Sequence, residues 1–319
     1  MSFKSVAAKN AVLRIVGVIT FAAAALVSVS VSSEPIIRAQ SAQRAAPPKV
    51  RLPDEAAGID GVLRALISVY DQFDVVALGE AHGSRLDSDL RIALVRHPDF
   101  ARKVRTIVVE FATSTEQTTL DRYIRGENVS RAQLKRVGPT EFGSVVWESA
   151  VYEDFFAAVR EVNSRLPADA RIRVFGAEDN RNRDAAAYSI LKQQVLQKHG
   201  KALVIFGAAH FSRTGNSGIM RMLDSNYPGR TFVVTTMGGP PMRKTSTSPS
   251  PDYQKFDRAL KTQVRPVMVS LHRLPFRDFM VRDFDNGNLV YMNGESVFKG
   301  STLTLGETAA DACVYFGRP

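Results

Sequence analysis

The amino-acid sequence predicts an α/β fold, with a mostly parallel sheet of about six strands and helices on both faces. Three observations lead to this prediction. First, short apolar, β-branched runs are interspersed with amphipathic helical patterns. Second, polar and apolar residues do not alternate within these apolar runs. The chain of 319 residues is also long enough to bury one sizeable core. Strands that are apolar throughout are typical of parallel sheets covered by helices on both sides.

Each predicted strand is a short apolar run bounded by polar residues or glycine. The six runs cover residues 75–79, 106–111, 172–176, 202–207, 231–236 and 266–271. Helical periodicity covers residues 86–95, 116–125, 151–166, 183–198 and 217–226. Residues 305–316 predict a closing helix and strand, and residues 287–298 predict a hairpin. Residues 238–251, rich in Gly, Pro and Ser, predict neither a helix nor a central strand and are a candidate lid.

The N-terminal residues differ in character from the remainder. Lys4, Lys9 and Arg14 precede a run from Ile15 to Ser33 that contains no charge, which predicts a secretory signal peptide over residues 1–40. The alternative is an uncleaved membrane anchor, because about 19 uncharged residues can just span a bilayer. Residues 41–57 predict a linker, and residues 58–319 predict a single domain. We therefore expect an exported protein, periplasmic or extracellular, that contacts a membrane only if the leader is retained.

Charge and cysteine content narrow the classes of partner. The formal net charge is +10, but the basic residues are scattered and form no patch interleaved with aromatic residues. This pattern disfavours nucleic acid and favours a small-molecule or peptide substrate. The single cysteine, Cys313, excludes an intrachain disulfide and is expected to be a small buried apolar residue. The sequence does not determine the oligomeric state.

Acids and imidazoles cluster where the predicted strands end. Two Gly-x-x-His motifs, Gly79-Glu80-Ala81-His82 and Gly207-Ala208-Ala209-His210, each follow or end an apolar strand. A glycine at that position lets the backbone turn sharply. Glu110 ends the second strand and Glu178 follows the third. Ligands of open α/β sheets bind at the carboxyl ends of the strands, so this edge is the predicted site.

Each of these residues also has a structural alternative. Glu110 lies inside an apolar run, where a carboxylate is costly to bury unless it is paired or binds something. Glu80 is either catalytic or orients a neighbouring His or Arg. His82 and His210 are either functional or hydrogen-bonded to the backbone as caps. Glu178 is either catalytic or a cap for the following helix.

Three further residues are candidates for holding a cofactor: Arg85, Asp179 and His272. Arg85, like Arg181 and Arg183, is placed to bind an anionic group, with a solvated helix start as the alternative. Asp179 has a helix cap as its alternative. His272 follows the sixth strand, and its alternative is local packing or hydrogen bonding.

The motifs resemble those of the group that contains erythromycin esterase, ChaN and Tiki/TraB. The resemblance rests on Ala77–Gly83, on Val108-Val109-Glu110 and on Phe206–His210, in that order. Likeness to the Tiki branch implies metal-dependent proteolysis with His82, Glu110 and His210 as ligands. Likeness to the esterase branch implies hydrolysis of an ester or lactone, with His82 as the base, supported by Glu110 and Glu80. Likeness to the ChaN branch implies haem binding, with His210 or His82 as the haem ligand.

The residue chemistry by itself allows two hydrolytic routes. Two imidazoles and a carboxylate suit a divalent ion such as Mn, Co, Zn or Fe, which would activate water, with Glu80 or Glu178 moving protons. Without a metal, His82 would act as general base on water. No Gly-x-Ser-x-Gly motif is present, which disfavours a serine hydrolase. The predicted function is an exported hydrolase of an ester, lactone or peptide, and the alternative is a haem- or ligand-binding envelope protein.

Overall fold

A computed structural model describes residues 56–138, 150–178, 182–211, 213, 218–238, 251–279 and 304–317. The strands are β1 Val75–Glu80, β2 Thr106–Thr113, β3 Arg173–Glu178, β4 Ala202–Gly207, β5 Thr231–Met237, β6 Val267–Ser270 and β7 Ala312–Tyr315. The helices are α1 Gly58–Val69, α2 Arg85–Arg96, α3 Phe100–Lys103, α4 Gln117–Ile124, α5 Arg131–Lys135, α6 Ala150–Ser164, α7 Arg183–Gln194, α8 Ile219–Asn226 and α9 Pro251–Ala259. All six predicted strands are present, whereas the sequence did not predict α1, α3, α5 and α9.

The described strands form one sheet in the order β3-β2-β4-β1-β5-β7-β6. All neighbouring pairs are parallel except β6 with β7, so the predicted mostly parallel sheet is confirmed. Strand β4 lies between β1 and β2 and pairs with both of them. The connection from β1 leads to one side of the sheet and the connection from β4 leads to the other. The carboxyl ends of β1 and β4 therefore border a crevice of the kind in which α/β sheets bind ligands.

Helices cover both faces of the sheet because alternate strand residues point in opposite directions. One buried cluster joins strand residues such as Val76 and Ile205 to α1 through α6. The other cluster joins residues such as Val75 and Val204 to α7, α8 and α9. Polar side chains are thereby restricted to the strand ends, which is where the site lies. Among the described helices, none is both long and apolar enough to cross a membrane.

The C-terminal part of the sheet contains the antiparallel pair of this mostly parallel sheet. Strand β7 inserts between β5 and β6, and β6 runs antiparallel to it. The short 3-10 helix Leu305–Glu307 and β7 account for the closing helix and strand expected there. Cys313 lies in β7 and is buried, as expected. Ala56 and Ala57, predicted as the end of the linker, contact the edge strand β6.

Several predicted features lie outside the described residues. They are the signal peptide of residues 1–40, residues 41–55 of the linker, the candidate lid between residues 239 and 250, and the hairpin of residues 287–298.

Candidate functional site

His82, Glu110 and His210 converge at the carboxyl edge of the sheet. The Nε2 atom of His210 lies 3.2 Å from Glu110 Oε1, and the Nε2 atom of His82 lies 3.8 Å from Glu110 Oε2. The three residues come from β2 and from the segments that follow β1 and β4. The two histidines and the buried glutamate, which the sequence placed only at one edge of the sheet, therefore lie within 4 Å of one another through Glu110.

The glycine of the second motif makes this approach sterically feasible. Strands β1 and β2 are not neighbours, so His82 must cross the end of β4 to reach Glu110. It crosses at Gly207, where a Cβ atom would lie 2.9 Å from His82 Nε2 and 3.0 Å from Cε1. The backbone N–H of Gly207 also donates to Glu110 Oε2 at 2.7 Å. Gly207 has no positive φ, so its role is to leave space for the imidazole rather than to allow the expected sharp turn.

Glu80 orients the imidazole of His82. Its Oε1 atom lies 3.0 Å from His82 Nδ1, which presents Nε2 to the centre of the site. Its Oε2 atom accepts a hydrogen bond from the guanidinium of Arg91, a residue on α2 that is 1% exposed. The hydroxyl of Tyr152 on α6 donates to Glu80 Oε1 at 3.0 Å. Of the two roles considered for Glu80, the geometry favours the orienting one.

Asp184 holds the second imidazole in the same manner. This residue lies in the first turn of α7, and its carboxylate bonds to His210 Nδ1. His82 and His210 are thus each held at Nδ1 by a carboxylate and directed through Nε2 toward Glu110. A carboxylate hydrogen-bonded to a histidine nitrogen sets the tautomer and the ring orientation.

Arg183 completes the cluster from the same helix. Its Nη1 atom donates to Glu110 Oε1 at 2.9 Å, and its Nη2 atom lies 3.1 Å from Glu178 Oε1. Glu178 is 1% exposed, and the cap of α7 is the side chain of Asn182 rather than Glu178. Glu178 therefore belongs to the charged cluster and does not cap α7.

The charges of these groups follow from their mutual contacts. Burial raises the pKa of the Glu110 carboxyl, but the neighbouring imidazoles and the Gly207 N–H outweigh burial and lower this pKa to about 2. Burial lowers the pKa of His210, but its bonds to Asp184 and Glu110 raise it to about 9. The pKa of His82 is also raised, because Glu80 and Glu110 outweigh its burial. At neutral pH the centre therefore contains a Glu110 carboxylate and a His210 imidazolium.

The residues expected to hold a cofactor do not join this cluster. Arg85 is exposed and pairs with Asp89 and Asp154. His272 follows β6, and because β6 is antiparallel, His272 lies beside the amino end of β7, where it contacts Asp311 at 3.1 Å. The expectation that strand six ends at the same edge as the others is therefore wrong. Asp179 lies outside the described residues.

A divalent metal ion does not fit this arrangement, although the residue types suit one. Both oxygens of Glu110 already accept hydrogen bonds, from Arg183 and Gly207, and the Arg183 cation lies next to the carboxylate a metal would need. Within the described part of the chain, no group of three His, Cys, Asp or Glu side chains is arranged to hold a metal ion.

Sequence reasoning missed Asp184, Tyr152, Arg91 and Asp87 as site residues. Asp87 is buried in the first turn of α2 and accepts the backbone N–H of Ala81 at 2.9 Å. Asp184 and Asp87 resemble ordinary first-turn acids, and Tyr152 and Arg91 lie within helical patterns far from the motifs. The one available signal was that Arg91 occupies the buried face of an amphipathic helix, where an unpaired charge is costly.

Comparisons with known proteins agree with this description. Residues 66–178 match the family model for haem-binding uptake proteins of the Tiki superfamily, ChaN. This region contains β1 through β3, and therefore Glu80, His82, Glu110 and Glu178, but it ends before β4 and His210. No curated protein sequence matches the chain.

Similar solved structures include a Bacillus cereus protein with a TM-score of 0.54 and 12% identity, which covers 83% of this chain and 94% of that chain. At this identity the likeness supports the α/β fold alone. ChaN of Campylobacter jejuni, described as binding cofacial haem, gives a TM-score of 0.38 at 16% identity, with 56% of this chain and 87% of that chain covered. The type III effector HopBA1 gives 0.41 at 17% identity, with 64% and 94% covered. Because the TM-scores of these last two structures are below 0.5, they support no conclusion about this chain. The match of residues 66–178 to the haem-binding uptake model of the Tiki superfamily confirms the resemblance for the first Gly-x-x-His motif and Glu110, and it ends before the second motif.

Proposed function

We propose that this chain is a hydrolase in which His82 activates a water molecule to attack the carbonyl carbon of an ester, lactone or peptide. One observation carries the proposal. Two imidazoles, each held at Nδ1 by a carboxylate, direct their Nε2 atoms toward the same point beside Glu110. A pair of titratable groups in different environments is the usual basis of acid–base catalysis.

His82 is the proposed general base. When His82 is neutral, its Nδ1–H group donates a hydrogen bond to Glu80, and Nε2 carries a lone pair. This lone pair accepts a proton from the water molecule as the water oxygen attacks. Its side chain is 33% exposed, so solvent and substrate can reach it. Glu80, paired with the buried Arg91, stabilises the imidazolium that forms.

His210 is the proposed acid. With a pKa of about 9 it is an imidazolium at neutral pH, so it can stabilise the alkoxide of the tetrahedral intermediate. It can also shift its Nε2 hydrogen bond from Glu110 Oε1 to the leaving oxygen or nitrogen, and donate that proton as the bond from the leaving atom to the carbonyl carbon breaks. The site then holds a protonated His82 and a neutral His210, and transfer of one proton from His82 to His210 through solvent restores the starting protonation state.

A second candidate, haem binding, is favoured by the family match of residues 66–178. The described residues do not fit an axial haem ligand as they stand. Both nitrogens of each imidazole lie next to carboxylates, so His82 or His210 would have to leave the cluster to ligate iron. A haem titration decides this candidate: a Soret shift that is lost in His82→Gln or His210→Gln supports it, and an unchanged spectrum contradicts it.

We further propose that the protein acts after export, on a small molecule or a peptide and without nucleic acid. The support for export is the leader-like pattern of residues 1–40, and the support for a small-molecule or peptide substrate rather than nucleic acid is the scattered distribution of the basic residues.

The hydrolase proposal is tested with residues 41–319 against panels of esters, lactones and peptides, before and after treatment with a chelator. We expect His82→Gln and His210→Gln to lower kcat by about a hundredfold or more. The control is His199→Asn, far from the cluster, because asparagine tolerates the positive φ of 54° at that position. Activity should survive the chelator. Equal activity of wild type and His82→Gln, or a wild type inactive on every panel, contradicts the proposal, and activity that needs added metal contradicts the metal-free route.

A further inference from the structure

We propose that Tyr152 is a positioning residue for His82: its hydroxyl group links the Glu80 carboxylate, which orients the imidazole, to the backbone of Gly83, which follows His82. The catalytic consequence rests on the proposed role of His82 as a base, whereas the positioning itself does not. Tyr152 lies on α6, which contacts the site from the face of the sheet opposite to α7.

The Tyr152 hydroxyl makes one hydrogen bond on each side of His82. It donates to Glu80 Oε1 at 3.0 Å, and this is the same oxygen that bonds to His82 Nδ1. It accepts the backbone N–H of Gly83 at 3.0 Å. Gly83 has a φ of +73°, so the chain turns immediately after His82. A single oxygen atom thus links the carboxylate that orients the imidazole to the turn that carries it.

The chemistry of the hydroxyl suits this double role. Burial and the charge of Glu80 raise the pKa of Tyr152 above its ordinary value, so the hydroxyl stays protonated and donates to the carboxylate. Its lone pairs remain available to the Gly83 N–H. The other carboxylate oxygen of Glu80 is bonded to Arg91, so both oxygens have defined partners and the carboxylate plane is fixed.

The ring of Tyr152 is itself held in place. It packs on Phe111 with ring centroids 4.5 Å apart, and the guanidinium carbon of Arg91 lies 4.9 Å from its centroid. A phenylalanine would keep these ring contacts, so packing alone does not require a hydroxyl at position 152. The hydroxyl contacts Glu80 and Gly83, which belong to the segment that carries His82.

The test compares Tyr152→Phe with Tyr123→Phe in the full chain. Tyr123 is a control on α4, where its ring packs under Arg160 outside the site. Three quantities are measured: hydrogen exchange of the Gly83 amide, the NMR signal of the His82 Nδ1 proton, and kcat and KM on the best substrate of the hydrolysis panel.

In Tyr152→Phe we expect the Gly83 amide to exchange about tenfold faster, because its acceptor is gone. The His82 Nδ1 proton signal should broaden, and kcat should fall about tenfold while KM stays within about twofold, because the base is misaligned rather than the substrate lost. The control should match the wild type in all three. An unchanged Gly83 amide overturns the proposal, and so does faster exchange with an unchanged kcat. A wild type without any hydrolytic activity refutes the proposed function instead, and the two NMR measurements still decide whether Tyr152 positions His82.

Discussion

At the scale of single residues, Glu110 shows how neighbours override burial. Glu110 is 1% exposed, and burial alone would raise the pKa of its carboxyl and favour the neutral form. Three neighbours reverse this effect on the Glu110 pKa: His210, His82 and the Gly207 N–H. Arg183 also donates a hydrogen bond to the carboxylate. The sequence-based argument that a carboxylate in an apolar run needs a partner was therefore sound, although it could not name the partners.

The Gly207→Ala variant tests whether the absent side chain admits His82. The added Cβ would meet the imidazole at 2.9 Å, so the ring must move while the backbone remains in place. We expect activity to fall at least about tenfold, because small displacements of catalytic groups are costly. The unfolding free energy should fall by only about 1 kcal/mol. Gly200→Ala, where the nearest atom would be 3.6 Å away, is the matched control, and equal activities of the two variants would contradict this role.

The pKa values of His210 and Glu110 predict the pH range over which the cluster stabilises the fold. The folded-state pKa of His210 is raised from 6.5 to about 9, so its contribution is complete below pH 6.5 and is lost as the pH rises through about 9. The pKa of Glu110 is lowered from 4.5 to about 2, so its contribution is present above pH 4.5 and is lost as the pH falls toward 2.

This dependence is measured by urea unfolding at a series of pH values. We expect the wild type to lose more stability than His210→Gln between pH 6.5 and 9, because only the wild type releases this proton on unfolding in that range. If the free energy of unfolding of the two proteins changed equally with pH, His210 would not be stabilised as an imidazolium in the folded state.

At the scale of elements, α6 is anchored to the sheet edge by a buried amide. Asn163 near its end donates to the carbonyl of Ile172 and accepts the N–H of Ile172, both at 2.8 Å. This pairing ties α6, and with it Tyr152, to the segment that enters β3. Periodicity predicted the helix and its buried face, but a polar residue on that face had no visible partner in the sequence.

Replacing this amide should destabilise the protein. Asn163→Ala leaves the buried N–H and carbonyl of Ile172 without their partner, so we expect a loss of about 3 kcal/mol of unfolding free energy. Ser164→Ala, at an exposed position on the same helix, should change it by less than about 0.5 kcal/mol. Denaturant unfolding of both variants measures the difference, and similar small losses would mean that water replaces the amide.

At the scale of the whole molecule, the strand order makes the site depend on distant parts of the chain. The region that matches the family model contains β1, β2 and β3, but β4 separates β1 from β2 in the sheet. The first motif and Glu110 therefore lie next to each other only when β4 is present between their strands. Strand β4 also supplies Gly207 and leads directly into His210.

A fragment of residues 56–178 should consequently not fold, because β1 and β2 would lack the strand that pairs with each of them. Residues 56–317 should fold and serve as the control. Circular dichroism and NMR shift dispersion measure this, and a dispersed, native-like spectrum of the shorter fragment would refute it.

Local sequence patterns determined the six first strands, most of the helices and the edge at which the functional side chains lie. These features are readable because burial on both faces imposes an apolar run, and because polar groups are then confined to strand ends. The motifs also sufficed for the family resemblance and for placing His82, Glu110 and His210 at one edge of the sheet, whereas the structure decided that their side chains converge. Only the tertiary structure decided the order of the strands, the antiparallel direction of β6 that removes His272 from the site, and the roles of Asp184 and Tyr152. The reason is physical: a hydrogen bond between residues 80 and 152 depends on which elements pack together, and local periodicity contains no information about that choice.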